Sequence, residues 1–362
     1  MKRSVIALFL SLLLCSSFLF GCGGSPSASS PPSPMVTVSP AASPSSAQTP
    51  SQQLPSPTPF PTNARPADSD ISENNGLLII QNKGYETFYY KQQVCDDYSD
   101  AINSLAASLD QSVTVYSLIT PTSIEFNAPP KYQREGNSAK NAIQHIYGNL
   151  SGIKAVDAYS ALEQHQTDYI YFGTDHHWTA RGAYYAYTAF CETAGLPAPS
   201  PLDSYESGRL DGFLGLYYSL SKSEALKSHP DYVEYFLPKA ETQATVFHSK
   251  ELDNPSSIKV VNPEIESGNK YMAFIGGDRP LIRIQTSAQT GRKILLIKES
   301  YGNAFAPWLT ESYDEVWVLD PRETSFSLHE FLQEHDIHEV LVLNYAIGTT
   351  SQNYRDKLRA LI

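Results

Sequence analysis

Three short apolar runs near the C-terminus, KILLI at 293–297, EVWVL at 315–319 and EVLVL at 339–343, constrain the fold more than any other feature of the chain. Each is too short for a buried helix, is rich in β-branched residues, and is separated from the next by a stretch with helical spacing. An earlier run, SVTVYSLI at 112–119, has the same character and stops at Thr120 and Pro121. Continuous apolar strands alternating with helices predict a parallel sheet covered on both faces. In such sheets the site lies beyond the carboxyl ends of the strands.

The remaining elements fit that alternation. Helices are expected over 90–109, 137–150, 158–164, 181–194, from about Ser300, and over 327–334, with a short buried strand at 153–157. Gly195 and Pro197 close the fourth of these helices. Between about 198 and 292 the rhythm is lost among Gly212, Gly215, scattered Tyr and Pro, and short runs such as YMAFI at 271–275. That stretch reads as a mixed, partly β insertion.

The N-terminal 67 residues belong to another class. Lys2 and Arg3 precede an apolar run from Val5 to Phe20 that is shorter than the roughly 20 residues a membrane-spanning helix needs, which is the layout of a signal peptide. The run ends in Gly21 and Cys22, and this small-residue–Cys junction resembles a lipobox: residues 1–21 would be removed and Cys22 lipidated. Residues 23–67 are nearly all Ser, Pro, Ala, Thr and Gln, cannot bury a core, and read as a disordered tether. Such a chain spans from roughly 40 Å as a coil to roughly 140 Å in polyproline form. The folded domain is then 68–362, exported and held at the outer face of a membrane.

Composition narrows the partners. The net charge of −12 becomes −14 when Lys2 and Arg3 leave with the leader, and nucleic-acid binding calls for a basic face. The 23 Tyr, 15 Phe and 3 Trp suit sugar-stacking platforms and suit an aromatic core better. Cys95 and Cys191 are the two thiols of the exported domain; a disulfide and two separate buried thiols fit the sequence equally.

Two segments carry chemistry. In LIKESYGN at 296–303 an apolar strand ends and a helix begins at Ser300, which would place a hydroxyl at the sheet's carboxyl edge beside helix N–H groups able to stabilise an oxyanion. A helix-capping serine is the plainer reading of that position alone. In GTDHHWT at 173–179, residues two apart in an extended loop face one side, so Asp175 and His177 would point together and His176 away. An imidazole oriented by a carboxylate is the usual base for a serine nucleophile. A polar turn is the alternative. Metal binding is disfavoured because adjacent histidines seldom share one ion and no HxxxH spacing accompanies them. His329, His335 and His338 read as a solvated helix face. No cofactor is expected.

With its motif followed by Gly182 and Ala183, TDHHWT at 174–179 resembles the signature of the DHHW family of bacterial exported proteins. It is also similar to the Asp-x-His-Trp motif of the SGNH-hydrolase-like alginate O-acetyltransferases of the cell envelope. In those proteins too the Asp and His precede the serine, which follows an apolar strand and an acidic residue. Glu299 stands here where Asp is usual. LITPT at 118–122 and FLGLY at 213–217 fit the same plan. The resemblance implies an SGNH-hydrolase-like, flavodoxin-like α/β domain with Ser300, His177 and Asp175 as catalytic residues. It implies O-acetylation or de-esterification of an envelope polysaccharide, with a membrane-bound O-acyltransferase as partner. Oxyanion donors are not fixed by it: the Ser300 amide is the first candidate, with Asn303 and Gly215 after it. The alternative function is a non-catalytic envelope lipoprotein that holds glycan or a partner protein.

Overall fold

The computed structural model describes residues 71–74, 77–129, 132, 138–248, 252–324 and 326–362. The leader, Cys22 and the Ser/Pro-rich tether lie outside them. A small antiparallel sheet comes first: β1 (Ile71–Asn74), β2 (Leu77–Ile80) and β3 (Lys83–Glu86). Helix α1 (Gln92–Ala107), β4 (Thr114–Thr120), α2 (Ile124–Asn127), α3 (Ala139–Gly148), β5 (Lys154–Val156), α4 (Ala158–Gln164) and α5 (Ala180–Ala194) follow. The insertion then supplies β6 (Ser207–Phe213), α6 (Leu216–Ser221), α7 (Glu224–Lys227), β7 (Asp231–Phe236), β8 (Thr242–Phe247), β9 (Ser256–Ile258) and β10 (Leu281–Thr286). The chain ends with β11 (Lys293–Lys298), α8 (Gly302–Leu309), β12 (Glu315–Leu319), α9 (Leu328–His335), β13 (Glu339–Tyr345), α10 (Ala346–Thr349) and α11 (Gln352–Arg359).

The main sheet has eight strands in the order β5-β4-β13-β11-β12-β10-β8-β9. The first five are parallel to their neighbours and the last three join antiparallel. The apolar runs occupy the centre, with Ile294–Ile297, Val316, Val318 and Leu319, and Val340–Leu343 all fully buried. Half of the insertion is therefore not a separate lobe: β10 lies along β12, Leu281 opposite Leu319, and carries β8 and β9 on its far side. Among the described residues of the insertion, β6 and β7 pair apart from the main sheet as a two-stranded ribbon. At the other end, β5 is an edge strand with Lys154 and Ala155 exposed, where a buried strand was expected. Three residues paired on one side alone cannot bury both faces.

Counted from β11, the parallel strands lie in the order 2-1-3-4-5 (β12, β11, β13, β4, β5), which is the flavodoxin-like order. The chain simply starts at a different point of that circuit. Helices cover both faces. Phe190 of α5 packs edge-on against Tyr116, and Phe305 of α8 packs against Phe190. Tyr116 shares its face with Leu341, so Asn344, three residues on, points the other way and accepts a hydrogen bond from Tyr98 of α1. Phe331 of α9 packs on Trp317, also on that second face. Cys95 and Cys191 are consequently separated by the sheet, one on α1 and one on α5, and both are free and buried. His335 is not solvated as expected; its ring lies 4.6 Å from Trp317 and 4.4 Å from Phe331. No helix among the described residues is long and apolar enough to cross a membrane.

The segment before α5 is closed on itself. Tyr171 bridges Trp178, the Thr179 N–H donates to the Ile170 carbonyl, and Thr179 caps α5 by accepting from the Gly182 N–H. Gly182 sits so close to this closure that a Cβ there would lie 2.5 Å from the Ile170 carbonyl oxygen. A backbone oxygen cannot move aside like a side chain, so Gly182→Ala should force α5 away from the loop. The expected loss is about 1–3 kcal/mol, read as a lowered midpoint in chemical denaturation; an unchanged midpoint would show that the contact is not tight.

Candidate active site

Ser300 lies within the strand-to-helix turn between β11 and Gly302, the first residue of α8, and the 173–179 loop closes over it from the α5 side. His177 Nε2 lies 2.7 Å from Ser300 Oγ, and His177 Nδ1 lies 2.6 Å from Asp175 Oδ1. The same Asp175 oxygen accepts from the His177 backbone N–H at 3.0 Å, and Oδ2 accepts from the Leu216 N–H at 2.7 Å. Asp175 and His177 are buried. Burial works against the Asp175 charge, yet the adjacent His177 more than offsets it and holds the carboxyl well below the usual carboxylate range. A carboxylate, an imidazole and a hydroxyl in this sequence of contacts can move a proton from the serine to the imidazole.

The loop is shaped from outside itself. Asp231, at the start of β7, accepts from the Gly173 N–H, the Thr174 N–H and the Thr174 hydroxyl, and the Gly84 N–H of β3 holds the Gly173 carbonyl. The loop bends instead of extending, so His176 does not point away as expected. Its ring centroid is 3.8 Å from that of His177 and its Nδ1 is 3.6 Å from Asp175 Oδ1. Burial first, then the neighbouring His177, push the His176 imidazole down to about 3, which leaves it neutral.

Two reciprocal bonds fasten the loop to the serine turn. The buried Trp178 indole N–H donates to the Tyr301 carbonyl at 2.9 Å, and the Tyr301 hydroxyl donates to the His176 carbonyl. Glu299 fixes the turn from below: one oxygen accepts from the Tyr301 N–H and the other from the Tyr345 N–H at the end of β13, each at 3.0 Å. The Ser300 N–H makes no hydrogen bond among the described residues, while the Ser300 hydroxyl also lies 3.4 Å from Glu299 Oε2.

The other two candidate donors are already engaged. The Asn303 amide N–H₂ donates to Asp278 at 2.9 Å, and the Gly215 N–H donates to Thr174 Oγ1 at 3.2 Å. Gly215 instead lets α6 approach the loop, since a Cβ there would fall 2.2 Å from that of Asp175. Three contributors carry no local sequence signal. Tyr271 stacks on His177 with centroids 4.0 Å apart and donates to the Ser300 carbonyl at 3.0 Å. Asp231 is the second, and Glu86 of β3 the third.

Burial above all, with the charges of Asp175 and Glu299, raises the Glu86 carboxyl from 4.5 to about 7. A carboxyl raised on folding contributes fully below its unfolded value and loses that contribution as pH climbs through its folded one. Glu86→Gln should therefore match the parent in thermal midpoint near pH 4 and exceed it at pH 8. Parallel melting curves across that window that never diverge would refute the assignment.

The model of the DHHW family, described as DHHW protein, matches residues 57–319. A solved DHHW family protein from Eubacterium siraeum is similar at 30% identity over 81% of this chain and 98% of that one, with a TM-score of 0.74. Bacillus cereus PatB1 is similar at 20% identity over 79% and 98%, with a TM-score of 0.63, and its sulfonyl adduct at 19% over the same shares, with 0.64. A comparison with the curated proteins finds no match.

Proposed function

This chain belongs to the DHHW family, and on that footing we propose that it is a serine acyltransferase or esterase acting on envelope polysaccharide. The observation that carries the proposal is the pair of contacts at His177, 2.7 Å to Ser300 Oγ and 2.6 Å to Asp175. In this reading Ser300 Oγ attacks the carbonyl carbon of an acetyl ester while His177 Nε2 takes the hydroxyl proton. Asp175 holds the tautomer with the proton on Nδ1 and stabilises the imidazolium that forms. The oxyanion draws on the Ser300 N–H. Collapse of the tetrahedral species expels the donor alkoxide, which recovers the proton from His177 and leaves an acetyl-enzyme. A sugar hydroxyl or water then gives its proton to His177 and attacks, releasing the acetylated sugar or acetate and restoring Ser300.

The similarity of the 174–179 motif to that of alginate O-acetyltransferases favours transfer, with a membrane-bound O-acyltransferase supplying acetyl groups. Tyr271 over His177 supports a sheltered base. The proposed lipid on Cys22 and the 23–67 tether place the domain outside the cytoplasm, able to move between the membrane surface and glycan farther out.

Ser300→Ala should lower hydrolysis of a chromogenic acetyl ester by roughly 10⁴-fold or more and reduce envelope acetyl content, while leaving the melting curve near that of the parent. Retention of both activities by a folded variant would sink the reading in favour of a non-catalytic binding protein. Cys22→Ala should release the protein into the medium with its ester hydrolysis intact and its effect on envelope acetylation lost.

A further inference from the structure

The DHHW loop offers a second, mutually exclusive use of the same residues. Asp175 Oδ1, an imidazole nitrogen of His176 and one of His177 all lie within 4.8 Å of one another. Asp175 Oδ1 is 2.6 Å from His177 Nδ1 and 3.6 Å from His176 Nδ1. In a tetrahedral zinc site with bonds near 2.0–2.2 Å, neighbouring ligand atoms stand about 3.3 Å apart. From 2.6 Å the first separation would open by about 0.7 Å, and from 3.6 Å the second would close by about 0.3 Å. His176 Nδ1 is buried and makes no hydrogen bond, though it is aimed at the carboxylate. Three further contacts orient the group: the Leu216 N–H on Asp175 Oδ2, the Tyr301 hydroxyl on the His176 carbonyl, and the Tyr271 ring on His177. Metal-binding histidines and carboxylates are characteristically held by such second contacts.

We propose that Asp175, His176 and His177 form a site for Zn²⁺ or a similar borderline cation, and that its occupation switches the serine off. Two imidazole nitrogens and one carboxylate oxygen are a donor set for zinc, with a fourth position left for water. The ion takes the place of the proton that His177 Nδ1 shares with Asp175, and that proton passes to Nε2, which then has no lone pair to accept the Ser300 proton. His177 then carries the metal on Nδ1, Asp175 no longer orients it for proton transfer, and Ser300 loses its base. The binding half rests on geometry alone; the inhibitory half rests on the serine reading above. His176 takes no part in the acyl chemistry, which gives the doubled histidine a purpose of its own.

The test uses the full metal-stripped protein. Co²⁺ titration should give the visible absorption of a four-coordinate ion at one equivalent, displaced by Zn²⁺. Zn²⁺ should also suppress labelling of Ser300 by phenylmethanesulfonyl fluoride at least tenfold. His176→Phe, which keeps a ring in the same packing, should label normally with and without Zn²⁺ and bind Co²⁺ at least tenfold more weakly. Histidine ¹⁵N spectra of the unaltered protein supply a check that needs no variant: the Nδ1 signals of His176 and His177 should shift with Zn²⁺. Absent Co²⁺ absorption, unshifted Nδ1 signals, or faster ester hydrolysis with Zn²⁺ would overturn the proposal. If Ser300 never labels in the metal-free protein while Co²⁺ binds, the serine reading and the inhibitory half fail together and the metal site stands.

Discussion

The hydrogen bond from the Trp178 indole to the Tyr301 carbonyl, answered by the Tyr301 hydroxyl on the His176 carbonyl, joins segments 123 and 125 residues apart. Everything proposed for the site depends on this closure. A backbone carbonyl left without a partner inside the protein costs about 1–3 kcal/mol, so the two segments have reason to stay together. Because both bonds involve backbone carbonyls, they set the spacing between the loop and the serine turn without using the side chains of Asp175, His177 or Ser300. The tryptophan of the motif thus acts as a fastener, and in the proposed function the aspartate and second histidine carry the chemistry.

Charge is managed around this closure with similar economy. Lys298 is wholly buried at the end of β11, bonded to Asp278 at 2.9 Å and to Asp320 at 3.3 Å, and Arg322 bonds both carboxylates in turn. Unpaired, any of these ions would be costly; alternating in sign, they satisfy one another. The network sits beneath the serine turn, where Asn303 of α8 also bonds Asp278. It ties the carboxyl ends of β11 and β12 to the turn after Gly277, which explains how Ser300 is presented from a well-supported edge.

Much of the central sheet was legible because burial on both faces leaves a continuous apolar run within each of β11, β12 and β13. The 158–164 helix was read to the residue, since Asp157 and the residues after it form a local cap and stripe. The nearness of Ser300 and His177 was legible through their motifs. What escaped were contacts made across the chain. Asp231 reaches back 57 and 58 residues to the motif loop, Tyr271 lies 29 before the serine it supports, and Glu86 arrives from a separate small sheet. None repeats with a period or has a telling neighbour. The antiparallel part of the sheet is legible only as a partly β insertion, for the opposite reason: β8 is half-exposed and β9 is a short exposed edge strand, and their mixed residues do not announce a partner. An extended loop misplaces His176, because Asp231 and Gly84 bend the 173–179 segment.

The strand circuit has a consequence for how such a chain reaches its native state. β4 is made early, yet its neighbour in the sheet is β13, with Val115 beside Val340, and the two strands are separated by most of the domain. The centre of the sheet therefore cannot form until nearly the last residues are available. Contacts of such sequence separation slow folding and prolong the life of unpaired strand edges. A polypeptide threaded outward from its N-terminus would gain its central sheet, and with it the seat of the serine, only when translocation is nearly complete. In the proposed exported protein, the order of the strands would act as a timing device that keeps the serine site unformed during transit.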